Sequence, residues 1–283
     1  MLLASGARCS LTLADSFPAV WRHGRRYRGL GRLLQRPEVD FVANHHLNGA
    51  RQVVDVLGVS ASKVIAWDWP LDLLDLADSS ARTLPQQEPM RLCFAGSISA
   101  AKGVWDLVEA VAQLRGRGVD ATLEVAGSGD TERLNALVQK CRLSGSVRHL
   151  GRVGGDEVIA MLQRATFACV PSRHAYPEGL PLTLYEAMAA GTPIIASDHP
   201  MFSGVIEDGE TGFVFRAGSS KGIVAAALRG WADPPLYESV SFAAARQYRE
   251  IGLTTLWGDV VGAWVRDRPD DRAFLRRAPL SST

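Results

Sequence analysis

An α/β fold built on parallel sheets is what this sequence predicts, and three observations lead there. From residue 91 onward, short apolar runs alternate with amphipathic ones. The apolar runs, LCFAG, TLEVAG, FACVP and PIIAS, are near-continuous, as strands covered on both faces are. The length, 283 residues, suits two domains at roughly 150 residues each, both large enough to bury a core.

The elements follow in order. In the first 76 residues CSLTLA, VDFVAN and KVIAW read as strands, with a helix over 47–57. This is a piece of a βα sheet, short for a complete one. Residues 77–89, ADSSARTLPQQEP, lack apolar periodicity and read as a linker. Beyond it, Val104, Leu107, Val108 and Val111 recur at i, i+3, i+4 and i+7, the period of a helix. Helices are also expected through Leu134, Leu137 and Val138, on Val158, Ile159, Met161 and Leu162, and from about 181 to 190; VRHL completes the strands. The division expected is an amino-terminal part over 1–84, a larger domain over 85–250, and a carboxyl-terminal helix and tail over 251–283. The arginines of that tail interleave with Asp267, Asp270 and Asp271, so it is read as solvated or partly disordered.

Composition excludes several classes. With 47% hydrophobic and 22% charged residues the chain is of ordinary globular make-up, not disordered, collagen-like or coiled coil. A net charge of +1 gives no field that recruits nucleic acid. No uncharged run reaches the roughly 18–20 residues of a membrane span, and MLLASGARCS lacks a basic leader, so a cytoplasmic protein is expected. Cys9, Cys93, Cys141 and Cys169 are widely separated, suggesting neither a disulfide framework nor a zinc site.

The strongest chemical signal is PEGLPLTLYEAMAAGTPIIAS, residues 177–197. Pro181 suits the first turn of a helix, and Gly191 with Pro193 stops it. Glu178 then lies in the loop before the helix and Glu186 at least a turn inside it. Gly179 lets the backbone approach a ligand, and the free N–H groups of the helix start favour a phosphate. Two carboxylates beside an anion site suit a nucleotide sugar. Spacing alone equally allows an acidic residue near a helix start and a solvated helix position. In FAGSISAAKG, residues 94–103, the strand ends at Gly96 and the turn runs through Ser97 to Lys102, which either reaches back to a phosphate or is solvated. AGSGD, residues 126–130, is a second glycine turn, through Gly127, with the same two readings.

With these motifs in order, residues from about 91 to 230 resemble the donor-binding domain of family 4 glycosyltransferases, retaining enzymes of GT-B type. The resemblance rests on the G-x5-K-G turn (Gly96 to Gly103), AGSGD, VPS running into E-x7-E (Glu178, Glu186), and EDGETGFVF (207–215). It implies two Rossmann-like domains, the amino-terminal one truncated. It also implies that Glu178 contacts the donor sugar at the reacting centre, that Glu186 binds the ribose, and that Gly179, Leu180 and Lys102 hold the diphosphate. Gly96, Ser97 and Gly127 belong to the same donor site. No metal and no cofactor beyond the nucleotide-sugar donor is implied. The family carries arginine where this chain has Ser97, so one diphosphate contact is either missing or supplied from elsewhere, with Arg173 the candidate.

The front departs from the family, which begins with a strand and a glycine-rich acceptor loop. This chain begins several elements later, which points to a start upstream of Met1 or to a partner subunit. Ala14 stands where many relatives have a histidine. His45 and His46, at a strand end, either enter the cleft or are satisfied within the fold. The arginines at 22, 25, 26, 28, 32 and 36 form either a solvated face or a contact for anionic lipid at the inner membrane face. The acceptor is expected to be a glycan or lipid-linked. The alternative is a donor-binding subunit of a split transferase or an inactive remnant; an epimerase is disfavoured because no carboxylate and histidine set for it stands in the amino-terminal part.

Overall fold

The computed structural model describes residues 8–17, 20–69, 71–77, 82–85 and 89–280, except for the side chains of residues 20–23, 25, 74 and 75. They divide into two compact units: Met1–Leu71 with Pro177–Leu180 and Gly252–Thr283, and Asp72–Tyr176 with Pro181–Ile251. The division falls ahead of residue 84, and part of the expected linker, residues 78–81 and 86–88, lies outside the described residues.

The first unit opens with β1 (Cys9–Leu13), α1 (Val20–Leu34), β2 (Val39–His45), α2 (His46–Asp55) and β3 (Val64–Trp67). The strands form a parallel sheet in the order β1-β2-β3. Successive residues of a strand face opposite ways. Val42, Val64 and Ala66 therefore enter one cluster with Ala50 and Val53 of α2, while Phe41, Ala43, Ile65 and Trp67 enter another. Both faces of this sheet are apolar and both require cover. Helix α1 was not legible beneath its arginines; Arg26, Arg28, Arg32 and Arg36 are exposed on or just beyond it, and the side chains of Arg22 and Arg25 lie outside the described residues.

The second unit begins with the short α3 (Leu74–Ala77) and continues through β4 (Met90–Ala95), α4 (Val104–Gly116), β5 (Ala121–Ala126), α5 (Thr131–Lys140), β6 (Val147–Gly151), α6 (Gly155–Arg164), β7 (Phe167–Val170), α7 (Leu182–Ala189), β8 (Ile194–Ser197), β9 (Phe213–Phe215), α8 (Ser220–Ala232) and α9 (Pro234–Ile251). All six strands run parallel, in the order β6-β5-β4-β7-β8-β9. The chain starts in the middle, winds outward through β5 and β6, returns to β7 and winds the other way. The adjacent carboxyl ends of β4 and β7 are thus a topological switch point, where ligands of open α/β sheets bind. The core is apolar throughout: Leu107, Val108, Val111 and Leu114 of α4 are fully buried with Leu92 and Phe94 of β4 and Leu123 and Val125 of β5. Burial pushes the Cys93 thiol up to about 12 and raises Cys169 well above the ordinary range, so both pack as small apolar groups.

Arg82 anchors the described part of the linker within this unit. Its Nη1 donates to Thr192 Oγ1 at 2.7 Å and to Leu162 O at 3.2 Å, its Nη2 donates to Gln163 O, and its backbone N–H donates to Ser241 Oγ at 2.9 Å.

The carboxyl-terminal residues correct the expectation of a solvated tail. They form α10 (Trp257–Arg266) and α11 (Pro269–Arg277), and belong to the first unit. Val260, Trp264, Phe274 and Leu275 pack on the Phe41–Ala43–Ile65–Trp67 face, and Trp264 Nε1 donates to Asp40 Oδ2 at 2.7 Å. The physical reason is the second apolar face of the sheet, which these helices cover. The interleaved charges pair on the outside, Arg266 with Asp271 and Arg272 with Asp267. Among the described residues no helix is long and apolar enough to cross a membrane.

Candidate functional site

In the second unit the strand ends build the site. Beyond β4 and β5 the chain turns through Gly96 and Gly127, hydrogen-bonded in series: Gly96 N–H donates to Ala126 O at 3.0 Å, and Gly127 N–H to Gly151 O at 2.7 Å. Gly127, at φ +137°, must be glycine, because a Cβ there would lie 1.8 Å from Gly96 O. Its carbonyl bonds His149 Nε2 at 2.9 Å. The two turns floor an open cleft of about 370 Å³ lined by Gly96, Ser97, Gly127, Ser128, Arg152 and Val153. Sequence reading singled out Gly96, Ser97 and Gly127 but passed over Arg152, which stands outside any recognisable motif and enters only because β6 ends beside β5.

At the switch point, Lys102 closes the turn after β4. Its backbone N–H donates to Ser99 Oγ at 3.2 Å, and its Nζ lies 4.7 Å from the centre of the Tyr176 ring. The loop after β7 packs beside it, with Arg173 N–H donating to Ala101 O at 2.8 Å. The Arg173 guanidinium is engaged by a carboxylate: Nε and Nη2 reach Asp106 at 3.0 and 2.7 Å. Asp106 is in the first turn of α4, so Arg173 ties that helix to the β7 loop.

Helix α7 starts one residue later than expected, with Pro181 as its N-cap and not in its first turn, and Gly191 ends it in the left-handed region. Thr183 Oγ1 donates to Ala95 O at 3.2 Å, which fixes the first turn of α7 at the carboxyl end of β4. Glu186 follows one turn on. Burial raises its carboxyl above the ordinary range, and its side chain has no hydrogen-bonding or ionic partner among the described residues. A half-buried carboxylate without a donor is primed to accept from hydroxyls.

Glu178, Gly179 and Leu180 belong with the first unit. Ser16 N–H donates to Glu178 O at 3.1 Å, and Glu178 and Leu180 are buried. A Cβ on Gly179 would lie 2.3 Å from Ala14 O and 3.3 Å from His45 Nδ1, so only glycine fits between them. His45 is itself a buried member of a polar cluster, its Nε2 3.3 Å from Asp68 Oδ1, with the Trp67 and Trp69 rings at 5.0 and 5.7 Å. Of the expected site residues, Gly96, Ser97, Lys102, Gly127, Arg173 and Glu186 therefore lie in the second unit and the other three in the first. Among the described residues no group of three or more histidine, cysteine and acidic side chains is placed to hold a metal ion.

The family model described as glycosyl transferases group 1 matches residues 77–247, more than half of the chain. The chain belongs to that family. It is similar to glycogen synthase of Mycobacterium tuberculosis (34% identity over 164 residues, 58% of this chain and 39% of the relative). It is also similar to phosphatidyl-myo-inositol mannosyltransferase of Mycobacterium leprae (33% over 150 residues, 52% of this chain and 39% of the relative). The match thus spans about two fifths of each curated relative's length. Among solved structures it resembles Anabaena HepE in complex with UDP, with a TM-score of 0.73 at 16% identity over 88% of this chain and 70% of that one. Sucrose-phosphate synthase of Thermosynechococcus elongatus gives a TM-score of 0.69 at 20% identity over 90% of this chain and 67% of that one. The α/β fold with parallel, Rossmann-like sheets is that of the GT-B glycosyltransferases.

Proposed function

We propose that this chain is a retaining glycosyltransferase of family 4 type that moves a sugar from a nucleoside diphosphate to an acceptor hydroxyl. The observation that carries the reading is Glu186, a desolvated carboxylate one turn into α7, the helix whose first turn is bonded to Ala95 at the glycine-floored cleft. In this reading the cleft takes the nucleoside, Glu186 accepts from the ribose hydroxyls, and Lys102 and the amides of Gly179 and Leu180 hold the diphosphate. Glu178 meets the donor sugar. HepE, solved with UDP and with UDP-glucose, supports a nucleotide-sugar donor, and the relatives' names support sugar transfer.

The chemistry asked of these residues is modest. Breaking the sugar–phosphate bond leaves negative charge on the diphosphate, and a fixed ammonium with oriented N–H groups stabilises that charge as it develops. Holding the acceptor hydroxyl against the anomeric carbon supplies much of the remaining rate. Neither step calls for a strong protein base, and neither requires a metal or cofactor. The acceptor is inferred to be a glycan or a lipid-linked hydroxyl, the latter met through the exposed arginines of α1.

Two substitutions test the roles, using UDP-, GDP- and ADP-sugars as donors. Glu178→Ala is expected to abolish transfer while leaving nucleotide affinity within a few-fold. Glu186→Ala is expected to weaken nucleotide binding itself. The reverse pattern would overturn the assignment.

A further inference from the structure

Arg152 is the one charged side chain that lines the glycine-floored cleft. It is exposed, and among the described residues its guanidinium has no hydrogen-bonding, ionic or ring partner. The backbone beneath it is fixed. Gly151 O accepts from Gly127 N–H at 2.7 Å, and His149 Nε2 donates to Gly127 O at 2.9 Å, so the end of β6 is tied to the floor through both polar groups of one glycine. Gly151 then turns the chain through the left-handed region, at φ +73°. Gly154 N–H donates to Glu157 Oε2 at 3.0 Å where α6 begins, so the loop that carries Arg152 is held at both ends. Apart from Ser97 and Ser128, the other side chains of the cleft are aliphatic, Val153 and Val158 among them.

We propose that Arg152 is a specificity-determining residue that selects the nucleobase, favouring one that presents a carbonyl at its edge over one that presents an amino group there. This rests on the donor-site reading given above and adds which donors the site takes. A phosphate wants donors on every side, whereas a nucleobase is apolar on its faces and polar only at its edge, so one cation among aliphatic side chains suits the base. The strand order agrees. β6 stands two places from β4, about 10 Å at the usual strand spacing, and the first turn of α7 is bonded at the end of β4. A nucleotide whose diphosphate lies at that helix start extends its base along the floor toward Arg152. A guanidinium has only N–H donors and no acceptor. It suits the O6 and N7 of a purine, or the O4 of a pyrimidine; an amino group in place of that oxygen is itself a donor and leaves the hydrogen bond unmade.

The test is calorimetric titration of the full chain with IDP against ADP and UDP against CDP. The members of each pair share ring size, ribose and diphosphate and differ at the base edge. In the pair that binds more tightly, the carbonyl-bearing member is expected to bind about tenfold better than the amino-bearing one, equal to about 1.4 kcal/mol. Arg152→Met is expected to bring that ratio to about one. General attraction of the arginine to the diphosphate acts on both members and cancels in the ratio, and a smaller folded fraction of the variant does not move it. If none of the four nucleotides binds, the donor-site reading fails and the proposal with it. If they bind with no preference for the carbonyl-bearing member, or with one that survives Arg152→Met, the proposal alone is overturned.

Discussion

Both units cover a parallel sheet, and they do it with different materials. In the second unit the core that joins α4, β4 and β5 is closed by aliphatic and aromatic contact. In the first, the carboxyl end of the sheet is a buried polar knot. Asn44 donates to Gly49 O at 2.9 Å and to Asp15 O at 3.2 Å, and accepts from His45 N–H at 2.8 Å. Asp68 accepts from Trp69 N–H at 2.8 Å and from Leu253 N–H at 3.2 Å while facing His45. Aliphatic contact is nondirectional and tolerates repacking; a buried polar knot holds segments 185 residues apart in one register, and each missing partner is costly.

The largest effect should follow from untying that knot. Asp68→Ala leaves the donors of His45, Trp69 and Leu253 without their acceptor, and is expected to destabilise the first unit by about 4 kcal/mol. Hydrogen exchange should report the loss in β2, β3 and the residues after 252, with β4 and β5 unaffected; equal loss in both units would erase the contrast. Leu107→Ala should cost about 3 kcal/mol by opening a cavity in the aliphatic core, with the exchange pattern reversed.

The smallest effect should come from Glu186, a half-buried carboxylate in the second unit. Its folded-state pKa is raised, so between the ordinary carboxylate range and that higher value the native state binds more protons than the unfolded one. Stability therefore falls as pH rises through that window, and the ionised group burdens the fold at neutral pH. Glu186→Gln is expected to raise Tm on the order of 2 °C at pH 7, with the gain fading below the ordinary carboxylate range. The same substitution should weaken nucleotide binding, a trade between stability and function.

This contrast also explains what could be read in advance. Strands β4, β5, β7 and β8 and helices α4 to α6 announce themselves because a two-sided apolar environment imposes its period on the residues. Gly96, Ser97, Gly127, Lys102, Glu178 and Glu186 stood out because turns and helix starts demand particular residue types. Helix α1 was hidden by its arginines, β9 by having only three residues, and α10 and α11 by their charges. Arg152, Tyr176 and Asp68 carry no local signal at all. Their roles come from neighbours distant in the chain, such as β6 beside β5, the loops after β4 and β7, and Leu253 beside Asp68.

The four residues Pro177–Leu180 have a consequence for anyone recombining this protein with its relatives. They are spelled inside the second unit yet fold with the first, so the polypeptide changes unit four times, after residues 71, 176, 180 and 251. A chimaera joined only at the segment around residue 80 would graft a foreign strand end onto the native Gly179, whose fit was set against Ala14 O and His45. Exchange of the first unit as an inheritable block therefore needs three non-contiguous fragments, the front, the residues from 252 onward, and a middle one only four codons long. Lineages that swapped their front halves without it would have had to re-evolve that fit residue by residue.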